Sequence, residues 1–330
     1  MKLLSAALVL IILFFAAYEI FLFFEPLKID ETLIEINKGA SAQEIAQKLY
    51  RKNIIRSKNW FYIYVKLSGK DKQLSWGKYL FFGNYSLLDV VEKLISGKVV
   101  LNKLTIPEGL TIRKTCRLLS RNEFGNYLKF KKLCNDSLYA SQLTGFDIPN
   151  LEGFLYPETY FFPESASEDY IIRTLVNRFF TQTAELDFNP TLGLDFYETL
   201  IVASIVEKEA RVESEKPLIA SVYLNRIRYG MKLQADPTVA YILEQMGRTR
   251  YRIYYRDLKI ESPYNTYLNK ELPPTPICSP SYTTIKAVLH PQESDYFYFF
   301  ADKSKGTHIF SKTYSEHLQK QRNLKKKNGK

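Results

Sequence analysis

The sequence predicts an α+β chain in three parts. These are an N-terminal transmembrane helix over residues 1–25, a small α+β domain over 26–102 and a larger α+β domain over 103–330. Three observations carry this reading. Leu3 to Phe24 (LLSAALVLIILFFAAYEIFLFF) is an apolar run about as long as the ~20 residues a helix needs to cross a bilayer. Short strand-like and helix-like patterns alternate closely from residue 30 to residue 100. From Leu151 onward the texture changes to aromatic and Pro-rich loops set between longer amphipathic helices.

The apolar run comes first. Its one charged residue is Glu19, near the distal end; Lys2 precedes it, and Glu25, Asp30 and Glu31 follow. The bias is weak but points to the N-terminus inside and the bulk of the chain outside the cytoplasm. The run is long for a signal-peptide core and no A-x-A site closes it, so an uncleaved anchor is expected. The net charge of +11 favours an anionic partner. An extracytoplasmic chain leaves lipid headgroups or a carboxylate-bearing polymer and excludes nucleic acid. The basic tail Leu324–Lys330 reads as a solvated terminus.

In the second part, Leu33–Ile36 alternates as a short strand. Ser41 and Glu44 form a capping box for a helix that buries Ile45, Ala46 and Leu49. Trp60–Leu67 reads as a second helix, Gly77–Phe82 as a strand, Gly83–Tyr85 as a turn, and Leu87–Ile95 as a third helix stopped at Gly97. This pattern resembles a LysM-like module, a type that binds polymers containing N-acetylglucosamine; a plain spacer fits the pattern equally well.

The third part opens with a strand over Val99–Ile106, a turn at Pro107–Leu110 and a helix after Thr111. Residues 122–150 are partly helical, and a helix is expected from Ser167 to about Thr181. Phe196–Arg211 (FYETLIVASIVEKEAR) is the segment with chemical content. At about 100° per residue, Ile201, Val202, Ile205 and Val206 form an apolar stripe. Glu209 falls in the middle of that stripe, and Glu207 falls opposite, on the same side as Ala203. Glu207 is therefore expected to face solvent or a surface partner. Glu209 is expected in apolar surroundings, where desolvation raises a carboxyl pKa and makes a general acid. An idle residue at a helix end is the bland alternative.

Ser221–Tyr229 reads as another helix, stopped by Gly230. Asp236 is placed as the N-cap of the next, with Pro237 at its first position. Rigid loops rich in Tyr, Asn and Pro follow at 262–267 and 272–280. Such side chains suit sugar binding, although ordinary turn chemistry explains them as well. Phe297–Phe300 has strand texture and is expected to underlie the wall of a site. Cys116, Cys134 and Cys278 show no CxxC pairing, and His290, His308 and His317 show no metal-ligand spacing, so no metal or cofactor is implied. A Cys116–Cys134 disulfide is open, with buried thiols preferred.

Six stretches in order resemble the YceG-like family, the endolytic murein transglycosylases of the MltG type. They are LEGFLYPETY (151–160), ASIVEKEA (203–210), ASVYLNRIRYGMKLQADPTVAY (220–241), SPYNTYLNKELPPTPICSPS (262–281), IKAVLHP (285–291) and YFYFFADKSKGTHIFSKTYSEH (296–317). Thr275 and Ser281 stand where that pattern has glycine, and Lys303–Thr307 replaces a more glycine-rich turn.

The resemblance implies Glu209 as the catalytic acid/base, the same residue that the helical face selects. It also implies cleavage of the MurNAc–GlcNAc β-1,4 bond within nascent glycan strands, leaving 1,6-anhydroMurNAc ends, beside the peptidoglycan synthases of a bacterial cytoplasmic membrane. Gln234, Tyr264 and Asn265 are candidates for orienting the sugar. Glu152 is a candidate behind them, and Asp236 serves first as a cap. A hydrolytic muramidase would need a second carboxylate, from Asp236 or Glu152. A non-catalytic wall-binding protein would not need the intact EKEA and QADPT segments.

Overall fold

Each early helix starts where a side chain can satisfy orphan backbone N–H groups. In the computed structural model, which describes residues 21, 23–97, 101–163, 166–188, 193–248 and 252–327, Ser41 and Glu44 close a capping box on α1 (Ala42–Arg51). Ser57 caps α2 (Lys58–Leu67), and Ser86 with Asp89 boxes α3 (Leu87–Ile95). The expected membrane-spanning run lies outside the described residues except for its last few positions. Among the described residues no helix is long and apolar enough to cross a membrane.

The chain divides into two units, 1–103 with 161–166, and 104–160 with 167–330. In the first, β1 (Leu27–Ile36) pairs antiparallel with β2 (Gly77–Tyr85), with an irregularity between Ile29 and Thr32. The order is strand, helix, helix, strand, helix. Ile34, Ile36, Tyr79 and Phe81 point inward from the ribbon onto Leu49, Phe61, Val65 and Leu94, all buried. The expected turn at Gly83–Tyr85 is instead strand: Gly83, Asn84 and Tyr85 pair with Ile29, Lys28 and Leu27. Glycine and asparagine signal a turn locally, but strand partners beyond the bulge extend the ribbon through them.

In the second unit, Thr111 caps α4 (Ile112–Arg121), followed by α5 (Tyr127–Cys134) and α6 (Ser137–Thr144). A ribbon pairs β3 (Leu101–Thr105) with β4 (Thr159–Pro163), and each strand gives residues to both units. Helix α7 (Glu168–Thr183) is capped by Ser167. Cys116, Cys134 and Cys278 are free and buried.

Helix α8 (Phe196–Glu209) lies at the centre of this unit. Helices α9 (Lys216–Arg228), α10 (Asp236–Gln245) and α11 (Tyr282–Leu289) pack around it. Every residue from Thr199 to Val206 is buried, as expected for a helix that is apolar all round. The hairpin β5 (Tyr298–Asp302) and β6 (Thr307–Ser311) packs with α12 (Tyr314–Lys327).

Two expectations change here. Ala203, placed by periodicity on an outward face with Glu207, is fully buried. Asp236 is the first residue of α10, not its cap. The N-cap is Ala235, no side chain caps the helix, and the Asp236 carboxylate instead accepts from Tyr267 Oη at 2.6 Å.

Candidate active site

Helix α8 ends at Glu209 because Ala210 turns to an extended conformation (φ −64°, ψ 129°). The last helical side chain is thereby delivered into a cleft of about 510 Å³. Glu209, Gln234 and Asp236 line it together with Tyr223, Arg226, Tyr267, Phe299, His308 and His317. Tyr223, 2% exposed, donates from its Oη to Glu209 Oε1 at 3.1 Å. Burial raises the Glu209 carboxyl to about 7; the Tyr223 bond works against that rise, Asp236 adds to it, and Arg211 again opposes it. The negative end of the α8 dipole acts in the same direction as burial. A carboxyl balanced near 7 can give up a proton and take one back at neutral pH.

The loop around Gln234 is held from behind. Gln234 sits at φ 50°, in the left-handed region, and its amide donates to Thr266 O at 3.1 Å. Ala235 N donates to Thr266 Oγ1 at 2.9 Å. Thr238 and Thr266 hydroxyls lie 3.0 Å apart. Asn265 locks this arrangement. Its Nδ2 donates to Leu258 O and Ile260 O at 3.0 and 2.7 Å, and its Oδ1 accepts from Tyr267 N at 3.0 Å.

Three of the sugar-binding candidates are therefore absent from the cleft lining. Asn265 is fully buried, with both ends of its amide engaged by backbone. Tyr264 bonds Thr275 Oγ1 at 2.9 Å and packs on Tyr241. Glu152, 1% exposed, accepts from Ile112 N at 2.9 Å and Tyr241 Oη at 3.2 Å; burial raises it to about 8, against the pull of those two bonds. All three brace loops, and a turn-forming residue and a ligand-binding one look alike in sequence.

Glu207 also departs from expectation. It is buried (side chain 8% exposed) 3.7 Å from Lys216 Nζ. It accepts from Ser281 N at 3.0 Å and Ser281 Oγ at 2.8 Å, and from Thr284 Oγ1. Because α8 has neighbours on every side, the face opposite the stripe meets α9 and α11, not water. Ser281, the N-cap residue of α11, is itself a donor to this carboxylate.

The cleft wall contains residues that the sequence reading passed over. Arg226 Nε donates to Phe297 O at 2.7 Å and Nη1 to Leu233 O at 2.7 Å, tying the strand region to the Gln234 loop. Glu215 receives His308 through both its amide and Nδ1, each at 2.8 Å. Phe299, Phe300 and Ala301 of β5 form one wall, as the strand texture suggested, and His317 and Gln321 of α12 line the cleft too. Nothing local in the sequence marks His308 and His317 as cleft residues, since their placement depends on the packing of β5, β6 and α12.

A family model described as the YceG-like family matches residues 34–323. The chain belongs to the YceG-like family. It is 32% identical over 329 residues to an endolytic murein transglycosylase of Bacillus subtilis, covering 93% of this chain and 89% of that protein. It is 28% identical over 319 residues to one of Streptococcus pneumoniae, covering 86% of this chain but only 56% of the relative. Among solved structures, a yceG-like protein of Listeria monocytogenes superposes with a TM-score of 0.61 at 32% identity, covering 88% of this chain and 98% of that one. In this YceG-like chain the EKEA segment (207–210) lies at the end of the central helix and not on a loop.

Proposed function

We propose that the chain is an endolytic murein transglycosylase that cleaves the MurNAc–GlcNAc β-1,4 bond within glycan strands, with Glu209 as the only acid/base. The observation that carries this is the Glu209 carboxyl, raised to about 7 by burial and set in an open cleft against a tyrosine donor. Protonated Glu209 gives its proton to the glycosidic oxygen as the C1–O bond breaks. The resulting carboxylate takes the proton of the C6 hydroxyl of the same MurNAc as O6 bonds to C1. The proton account closes without water, and the product ends in 1,6-anhydroMurNAc. Tyr223 Oη steadies the carboxylate between the two steps. Gln234, exposed at the cleft edge, is the sugar-orienting residue that remains from the sequence candidates.

Asp236 is the one other carboxylate among the described residues lining the cleft, so a hydrolytic alternative would run through it; Glu152 is too deeply buried to serve. The apolar run Leu3–Phe24 anchors the chain in the bacterial cytoplasmic membrane with the N-terminus inside, which sets the enzyme where nascent strands and their synthases are. The first unit, with its strand–helix–helix–strand order, is the LysM-like part of this layout.

The test is digestion of un-crosslinked glycan strands by the full chain and by its Glu209→Gln and Asp236→Asn variants, read by mass. Anhydro-ended products from wild type and Asp236→Asn, and none from Glu209→Gln, support the reading. Reducing-end products that vanish with Asp236→Asn would convert it to a hydrolase.

A further inference from the structure

Among the described residues, the outer half of helix α2 carries an apolar face that is exposed at Ile63 and Leu67. Trp60, Ile63, Tyr64 and Leu67 are spaced i, i+3, i+4, i+7 and so share one side. Phe61 and Val65, on the other side, are fully buried in the first unit. Ile63 is 42% exposed and Leu67 85%. This face adjoins the end of the apolar N-terminal run. The Phe23 ring meets Trp60 edge-on at 6.2 Å and Tyr64 at 5.5 Å. Phe21 and Phe24 are themselves more than half exposed. A groove of about 280 Å³ between Phe23, Leu27, Ile54 and Trp60 opens beside them.

The charge beside this patch is mainly basic, with Glu25 paired to Arg56 at 3.7 Å and Asp71 to Lys66 at 2.5 Å. From Arg51 to Lys70 the chain has Arg51, Lys52, Arg56, Lys58, Lys66 and Lys70 and no acidic residue. Aromatic rings with lysine and arginine at their margin are the composition of a helix lying in a bilayer interface, where rings sit at headgroup depth and long basic side chains reach the phosphates.

We infer that α2 docks flat on the membrane surface, with Trp60, Ile63, Tyr64 and Leu67 in the headgroup–acyl boundary and the flanking basic residues on anionic lipid headgroups. The occupant is the bilayer because the face continues directly from the segment proposed to enter it. The first unit would then be held against the membrane by two contacts. This inference rests on the anchor reading proposed above.

The full chain, reconstituted in vesicles containing anionic phosphatidylglycerol, carries a nitroxide at Leu67→Cys; the native cysteines are buried. Vesicle flotation is read first, then the relaxation of the label by oxygen, which concentrates in lipid, against a water-soluble nickel chelate. Flotation with oxygen accessibility exceeding nickel accessibility severalfold supports the docking. In the same sample with Trp76→Phe, Trp60 emission is quenched severalfold by brominated acyl chains. Flotation with a label open to nickel overturns the docking and leaves the anchor standing. A label shielded from both reagents means that protein covers the face, as a second copy would, and also overturns it. A chain that does not float overturns the anchor and the docking together.

Discussion

At the scale of single residues, two carboxyls, half-buried Glu209 and fully buried Glu152, have different duties. Glu209 is raised to about 7 and must be protonated to begin the reaction. The rate of strand cleavage at limiting substrate should therefore fall tenfold per pH unit above about 7, following the loss of that proton. Tyr223→Phe removes a donor to the ionised form, so the alkaline limb should move to higher pH, a displacement that a purely structural residue would not cause. Glu152 is raised to about 8 by complete burial. Its folded pKa lies above its unfolded value, so its contribution to stability is complete below about 4.5 and is lost as pH rises toward 8. Denaturant titrations should show wild type losing on the order of 2–5 kcal/mol over that window relative to Glu152→Gln. Equal pH dependence in both proteins would show that the pKa of Glu152 does not differ between the folded and unfolded chain.

At the scale of elements, the central helix decides most of the local outcomes. Glu207, Lys216, Ser281 and Thr284 pin α8 to α9 and α11, with the Glu207 and Lys216 side chains each less than a tenth exposed. Glu207→Ala removes the acceptor of Ser281 and Thr284 but leaves Lys216 its pair with Glu213 at 3.0 Å, and should cost about 1–3 kcal/mol in equilibrium unfolding. Gly153 sits at φ 93°, and a Cβ there would come within 2.7 Å of Pro276 Cγ. Gly153→Ala should therefore destabilise the packing of the Pro-rich loop by roughly 2 kcal/mol or more, read as a lowered Tm. Elements whose causes are local were legible from sequence: the Ser41–Glu44 box, the Leu87 start of α3 and the Thr111 cap follow from side chains within a few residues of the helix they begin. Features set by distant partners were not. The Gly83–Tyr85 stretch is strand only because Leu27–Ile29 lies beside it. Asn265 and Tyr264 became braces because Leu258, Ile260 and Thr275 come to meet them. Periodicity placed Glu209 in apolar surroundings, but the same wheel misjudged Glu207, because a two-sided picture of a helix fails when it is surrounded.

At the scale of the whole molecule, the second unit gathers one cleft from parts far apart in sequence: the end of α8, α9, the Gln234 loop, β5 and α12. None of these segments forms the site alone, and its charge chemistry converges on one carboxyl. The central claim is that the nucleophile is the sugar's own C6 oxygen, released by Glu209, and that solvent takes no part. Digestion of un-crosslinked glycan strands in water enriched in oxygen-18, followed by mass analysis of every new MurNAc end, tests this most directly. Internal attack by O6 gives ends lighter than a reducing sugar by one water and carrying no label. Reducing ends that carry one oxygen-18 would contradict it, and would make the enzyme a hydrolase using a water across the cleft from Glu209.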